Sequence, residues 1–196
     1  MMKAALTGAI GSGKTTVLRF FGKCGAAVAD TDEWVHEEFA ENASLRKKIA
    51  AAFGDSVIRK DRVDRRLLAD IVFEDMSCLK RLNSLVHPLV KRRLFDFFRK
   101  NKKKRLVVVE VPLLFEAKFD RFFDVTIGVA TDSQARRLRL KRRGQKDIID
   151  VRRRMRCQLP PEEKLSRCDF VIDNRGSRKQ TFMQINKLME VKLWKS

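Results

Sequence analysis

The sequence predicts an α/β protein, an open parallel five-stranded sheet with helices on both faces. Three observations carry that reading. Five short apolar, β-branched segments (3–7, 26–29, 106–111, 125–129 and 170–172) alternate with helical patterns, as buried parallel strands and their crossovers do. About 70 residues separate the second segment from the third, far more than the dozen or so that a crossover needs, so a helical unit is inserted there. Between the first and second segments, a glycine-rich turn leads directly into a helical pattern that starts at Lys14.

The elements follow in order. Within 31–100, Leu45, Ile49 and Phe53 recur at four-residue spacing, and Leu67, Leu68, Ile71 and Val72 mark a second apolar face. A third run carries Leu79, Leu82, Leu85 and Val86, meets His87-Pro88, and continues through Leu89, Leu94, Phe95 and Phe98. Proline suits a first turn but disrupts a helix interior, so a helix boundary or kink is expected at Pro88, in a stretch otherwise all helical. The segment 132–167 is helical and dense in arginine, with breaks near Gly144 and at Pro160-Pro161. A last strand precedes a helix that holds Phe182, Ile185, Leu188, Met189 and Leu193. The expected organisation is a core of 1–32, 101–131 and 168–196, a helical insertion of 33–100, and an arginine-bearing segment of 132–167.

The 196 residues include 44 Lys+Arg against 25 Asp+Glu, a formal charge of +19. That length suits one α/β domain with insertions. No apolar run reaches 18 residues, so no spanning helix is expected. The first residues loosely resemble a signal peptide, but the apolar stretch is short and broken by glycine, so a cytoplasmic protein is expected. Cys24, Cys78, Cys157 and Cys168 form no CxxC pair, and with two histidines the chain predicts reduced thiols rather than a zinc site. Such a basic chain either binds nucleic acid or steers small polyanionic substrates. The run from Lys100 to Arg105 reads as a solvated turn, whereas Arg136 to Arg143 and Arg152 to Arg156 both follow the fourth strand.

Residues Gly8-Ala9-Ile10-Gly11-Ser12-Gly13-Lys14-Thr15 fit G-x-x-x-x-G-K-[ST] between a strand and a helix, the context that this motif requires. Glycines let backbone N–H groups turn toward phosphate oxygens, and the helix N-terminus adds unpaired donors. Lys14 supplies a charge to the β and γ phosphates and the Thr15 hydroxyl is placed for Mg²⁺; Thr16 adds a second hydroxyl beside it. The pattern predicts a P-loop nucleoside triphosphate fold. Asn186-Lys187-Leu188-Met189 lacks the aspartate of a GTPase base-reading signature, and a motor or helicase needs more chain, which leaves small phosphotransferases.

Asp30-Thr31-Asp32 closes the second strand. If strand geometry persists through Asp32, both carboxylates face the crevice at the strands' carboxyl ends, where open α/β folds bind ligands. Asp32 is then a candidate general base for an alcohol acceptor, and Asp30 a metal-side or supporting carboxylate. Asp30 or Thr31 as a helix cap is the alternative. Glu110 interrupts an apolar strand and needs a cationic or metal partner, and Glu116 lies just beyond it.

The chain resembles the dephospho-CoA kinase family. The likeness rests on the phosphate loop from Leu6 to Thr15, Asp30-Thr31-Asp32, Leu85-Val86-His87-Pro88-Leu89 and Val111-Pro112-Leu113-Leu114-Phe115-Glu116. Arg154 four before Gln158, and Cys168 through Asn174, complete it. These blocks stand in the family's order. The resemblance implies transfer of the ATP γ-phosphoryl group to the ribose 3′-hydroxyl of dephospho-CoA, with Mg²⁺, on a P-loop core with a helical acceptor domain and an arginine-bearing lid. It aligns the family's acidic residue with Asp32, gives His87 and Leu114 to the acceptor, and gives Arg154, with Arg139 and Arg143, to ATP phosphates. His87 as a simple helix terminator stays open. The partners expected are ATP and dephospho-CoA, with neither membrane nor nucleic acid, and a monomer or small homo-oligomer. Cys168 departs from the family's usual alanine.

Overall fold

The computed structural model describes residues 1–141 and 155–190. They divide into two units, Met1–Asp30 with Phe98–Ser196, and Thr31–Phe97. The sequence suggests joints two or three residues later, at 32/33 and 100/101.

The first unit is built on a five-stranded parallel sheet in the order β2-β5-β1-β6-β7: β1 (Met2–Thr7), β2 (Ala27–Asp30), β5 (Leu106–Glu110), β6 (Val125–Ala130) and β7 (Phe170–Asp173). Strands β3 (Ile58–Arg59) and β4 (Arg62–Val63) belong to the other unit. The interior strand β5 is buried at every residue, which is why Leu106-Val107-Val108-Val109 reads as a continuous apolar run rather than an alternation. Helices α1 (Lys14–Lys23) and α8 (Arg178–Leu188) cover one face. Ala4, Leu6, Leu106, Val108, Ile127 and Ile172 pack there against Val17, Leu18, Phe21 and Ile185. On the opposite face α7 (Pro161–Ser166) lies so close to β6 that a Cβ at Gly128 would stand 2.7 Å from Leu165 Cδ2.

Neighbouring strands β1 and β5 send their connections opposite ways, β1 toward β2 and β5 toward β6. Their carboxyl ends therefore open a crevice between them, the position where such sheets take ligands. The basic turn Lys100, Lys102, Lys103, Lys104 and Arg105 is exposed and leads into the amino end of β5, so it lies at the other edge of the sheet.

The second unit contains α2 (Thr31–Glu41), α3 (Ala43–Phe53), α4 (Arg65–Glu74) and most of α5 (Met76–Lys100). Side chains mark the helix starts: Asn42 accepts from Leu45 N, and Asp64 accepts from Arg66 N and Leu67 N. Phe39, Leu45, Ile49, Val57, Leu68, Val72, Leu79, Val86 and Val90 form its buried interior.

Two expectations for this stretch are corrected. It is not all helical, because β3 and β4 form a hairpin through Lys60 and Asp61, both left-handed at φ 48° and 56°. Such paired left-handed residues make the primed turn that matches strand twist, but Lys-Asp lacks the Asn-Gly signal that marks it in sequence. Of the boundary or kink expected at Pro88, the boundary is excluded, since α5 runs through it. The lost hydrogen bond and ring clash cost about 3 kcal/mol. Burial of Val86, Val90 and Leu94 on the adjoining turns offsets that loss.

Candidate active site

The turn from β1 to α1 takes its shape from glycines at two points. Gly11 is left-handed at φ 81°, and Gly13, at φ 93°, is the residue that opens α1. Gly8 needs space as well as rotation, because a Cβ there would lie 2.9 Å from Val129 O. Ala9, Ile10 and Thr16 complete the turn, with Ser12 N donating to Ala9 O and Thr16 N to Gly13 O. Lys14 is buried at 8% exposure, and its ammonium reaches back over the turn to Gly8 O at 3.1 Å and Ala9 O at 3.3 Å.

Strand periodicity brings Glu110 to this point. Leu106, Val108 and Glu110 alternate onto the face that α1 covers, so the last of them meets the first turn of the helix. Its carboxylate lies 3.8 Å from Lys14 Nζ, and accepts from Thr15 Oγ1 at 3.4 Å. Asp30 pairs in register with Glu110 across β2 and β5, which sets both carboxyl groups at the same level of the sheet. Thr15, Glu110 and Asp30 make an all-oxygen donor set, which suits a hard cation such as Mg²⁺. The cation that a carboxylate inside this apolar strand needs is thus the phosphate-loop lysine.

Asn174, just beyond β7, is a site residue that sequence reasoning quoted without a role. Its Nδ2 donates to Ser12 O at 2.7 Å, and its Oδ1 accepts from Thr181 Oγ1 at 3.0 Å. Helix α6 (Ser133–Lys141) also lies against the turn, for a Cβ at Gly11 would stand 3.0 Å from Arg136 Cγ. Among the described residues of the 136–143 run, Arg136 is the arginine that the structure brings to the phosphate loop. The side chain of Arg139, and Arg143 and Arg154 entirely, lie outside the described residues.

Glu116 is anchored rather than catalytic in geometry. It accepts from Lys164 Nζ and Leu159 N, each at 2.9 Å, while Lys164, 1% exposed, also donates to Pro112 O at 2.7 Å. Leu114 in the same loop is fully buried at 0%. The motif's apolar residue holds the loop in the core.

Asp32 and His87 belong to the second unit. Strand geometry does not persist to Asp32, because β2 ends at Asp30 and α2 starts at Thr31. Asp30 and Asp32 therefore share no strand face, since Asp32 already stands on the helix. Asp32 is exposed on the first turn of α2, where the helix dipole favours a carboxylate. His87 is half-buried within α5, and desolvation holds its imidazole below the ordinary histidine range.

The sign of that shift predicts an acid dependence. A folded pKa below the unfolded value of about 6.5 leaves both states neutral above that pH, and costs stability as pH falls through the window beneath it. The midpoint of thermal unfolding should drop between pH 7 and pH 5 more steeply in the wild type than in His87→Gln. Parallel slopes would mean that His87 is not the responsible group.

All four cysteines are free. Burial chiefly raises the Cys168 thiol, to about 11, with Asp169 adding to the effect, so that thiol stays protonated and unreactive. Among the described residues no group of three or more His, Cys, Asp or Glu side chains could hold a metal ion, and no helix is long and apolar enough to cross a membrane.

A phosphate loop between the opening strand and its helix, a buried lysine across it and a carboxylate on the adjacent strand define a P-loop kinase fold on an open parallel sheet. The chain belongs to the dephospho-CoA kinase family, whose model matches residues 2–180. These enzymes are transferases of the last step of CoA biosynthesis, and the chain is one of them. It is 32% identical over 191 residues to the dephospho-CoA kinase of Aquifex aeolicus, covering 97% of both chains. Among solved structures, TT1252 from Thermus thermophilus superposes with a TM-score of 0.84 at 33% identity, covering 98% of this chain and 97% of that one. Dephospho-CoA kinase from Campylobacter jejuni gives 0.68 at 26% identity, covering 95% and 96%.

Proposed function

We propose that the phosphate loop of the first unit holds ATP while Asp32 directs the ribose 3′-hydroxyl of dephospho-CoA at its γ-phosphorus. The observation that carries this reading is the Lys14–Glu110–Thr15 constellation at the mouth of the β1/β5 crevice. Backbone N–H groups of residues 8–16 and the positive end of α1 receive the triphosphate, and Lys14 turns its ammonium onto the β and γ phosphates. Thr15, with Asp30 and Glu110, would hold Mg²⁺. When bound with ATP, that ion neutralises charge on the β and γ oxygens.

Asp32 orients the 3′-hydroxyl and accepts its proton as the new P–O bond forms. Its exposure on the opening turn of α2, two residues beyond Asp30, supports the role, and the neutral imidazole of His87 serves the acceptor by hydrogen bonding. Arg154, Arg139 and Arg143 offset charge on the transferring phosphoryl group. Such a transition state makes few covalent demands on the protein, so positioning and electrostatics supply the rate. The reading fits a cytoplasmic enzyme that acts as a monomer or small homo-oligomer.

The test is ADP release from Mg-ATP with each acceptor in turn. Turnover with dephospho-CoA and none with adenosine or nucleoside monophosphates is expected. The reverse pattern would assign the chain to another small-molecule kinase activity.

A further inference from the structure

We infer that Asn174 is a positioning residue for the phosphate loop, that Thr181 anchors it, and that the pair together sets ATP affinity. The inference rests on the phosphate loop being the ATP site. Asn174 is 6% exposed and Thr181 0%, so both polar side chains must find partners inside the protein. They find each other and the loop: Thr181 Oγ1 donates to Asn174 Oδ1 at 3.0 Å, and Asn174 Nδ2 donates to Ser12 O at 2.7 Å. The reversed carboxamide would press Oδ1 against the Ser12 carbonyl oxygen, two acceptors without a proton between them. The Ser12 carbonyl, an acceptor only, therefore selects the rotation that leaves the amide N–H₂ facing the loop, and the Thr181 hydroxyl, within reach of Asn174 Oδ1 and, at 3.3 Å, of Ser177 O, ties down the other end of the carboxamide.

The consequence for ATP follows from peptide geometry. In a planar trans peptide, the carbonyl of one residue and the N–H of the next point in opposite directions. Asn174 draws the Ser12 carbonyl toward the β7 side, so the Gly13 N–H is turned the other way, toward the anion. Gly13 sits at φ 93° and ψ 23° at the start of α1, a region that glycine enters without strain but does not hold by itself. An external hydrogen bond on the preceding carbonyl supplies the restraint. Asn174 is itself fixed from two directions. Its N–H donates to Ala130 O, and the backbone of Asp173 is gripped by Gln184, which accepts from Asp173 N and donates to Asp173 O. The loop is thus braced against β7 and α8, the last elements of the fold.

Asn174→Asp keeps the shape and replaces the donor with an oxygen that repels the Ser12 carbonyl; Thr181→Val keeps the shape and removes the hydroxyl. The expected result is a rise in ATP KM, and in the Kd for ATP measured without acceptor, of about ten-fold for Asn174→Asp and about three-fold for Thr181→Val. The KM for dephospho-CoA should stay within about two-fold and kcat at saturating ATP within about three-fold. Because Thr181 acts through Asn174, the double variant should bind ATP no worse than Asn174→Asp alone. Unchanged ATP affinity in both variants, accompanied only by a lower melting temperature, would reduce the pair to a structural role and overturn the inference. So would multiplicative effects in the double variant. A wild-type protein that binds no ATP would instead overturn the assignment of the loop.

Discussion

Lys14→Ala is expected to lower kcat/KM for ATP by about 10³-fold or more, and to destabilise the fold at the same time. The two effects have separate causes. Loss of an ammonium from the β and γ phosphates removes about 4 kcal/mol of transition-state stabilisation, which corresponds to that rate factor. The stability loss arises from Glu110, which is 5% exposed and loses the cation 3.8 Å away. Stranding one member of a buried pair costs about 3–5 kcal/mol. A second substitution distinguishes them: Lys14→Ala with Glu110→Gln should regain much of the melting temperature, because the amide carries no charge to strand, while activity stays low. Thermal unfolding and steady-state kinetics on the wild type and the two variants provide the check. A Lys14→Ala protein that turns over normally would remove the lysine from the chemistry.

Asp32→Asn should reduce kcat by about 10²–10⁴-fold while the Kd for ATP stays within about two-fold. The amide preserves size and can still orient a hydroxyl, but it cannot take the proton. Because Asp32 is exposed on the first turn of α2, the fold should barely register the change. The lost favourable interaction with the helix dipole is worth about 0.3–1 kcal/mol. Near-normal turnover would dismiss Asp32 as the base, and a matching loss of ATP affinity would assign it to nucleotide binding. The contrast with Lys14 is diagnostic: one variant fails in the phosphates' environment and in stability, the other only in the chemical step.

Much of this protein is legible as local pattern. Alternating apolar segments mark the parallel strands, and Gly8 to Thr15 carry their own geometric meaning, since each glycine in that spacing answers a requirement of backbone and phosphate. Pro88 and the Lys60-Asp61 turn misled for a related reason. A local preference of a few kcal/mol yields to the burial of several apolar residues on neighbouring turns, and a primed turn can form without its usual residues. Asp32 was expected at the end of a strand and lies on a helix, because a boundary shifted by two residues exchanges one periodicity for another.

The sequence by itself determined the sheet's class, the phosphate loop and the family, because those features are encoded in spacing along the chain. The tertiary structure alone decided which distant groups meet the loop. Glu110 reaches Lys14 and Thr15 because β5 inserts beside β1, and Asn174 grips Ser12 from 162 residues away because β7 ends beside the loop. Glu116 is tied to Lys164 and the Leu159 amide, contacts that motif membership does not reveal. Spacing records what neighbours along the backbone can do together; contacts across strands depend on the sheet order, which no local pattern contains.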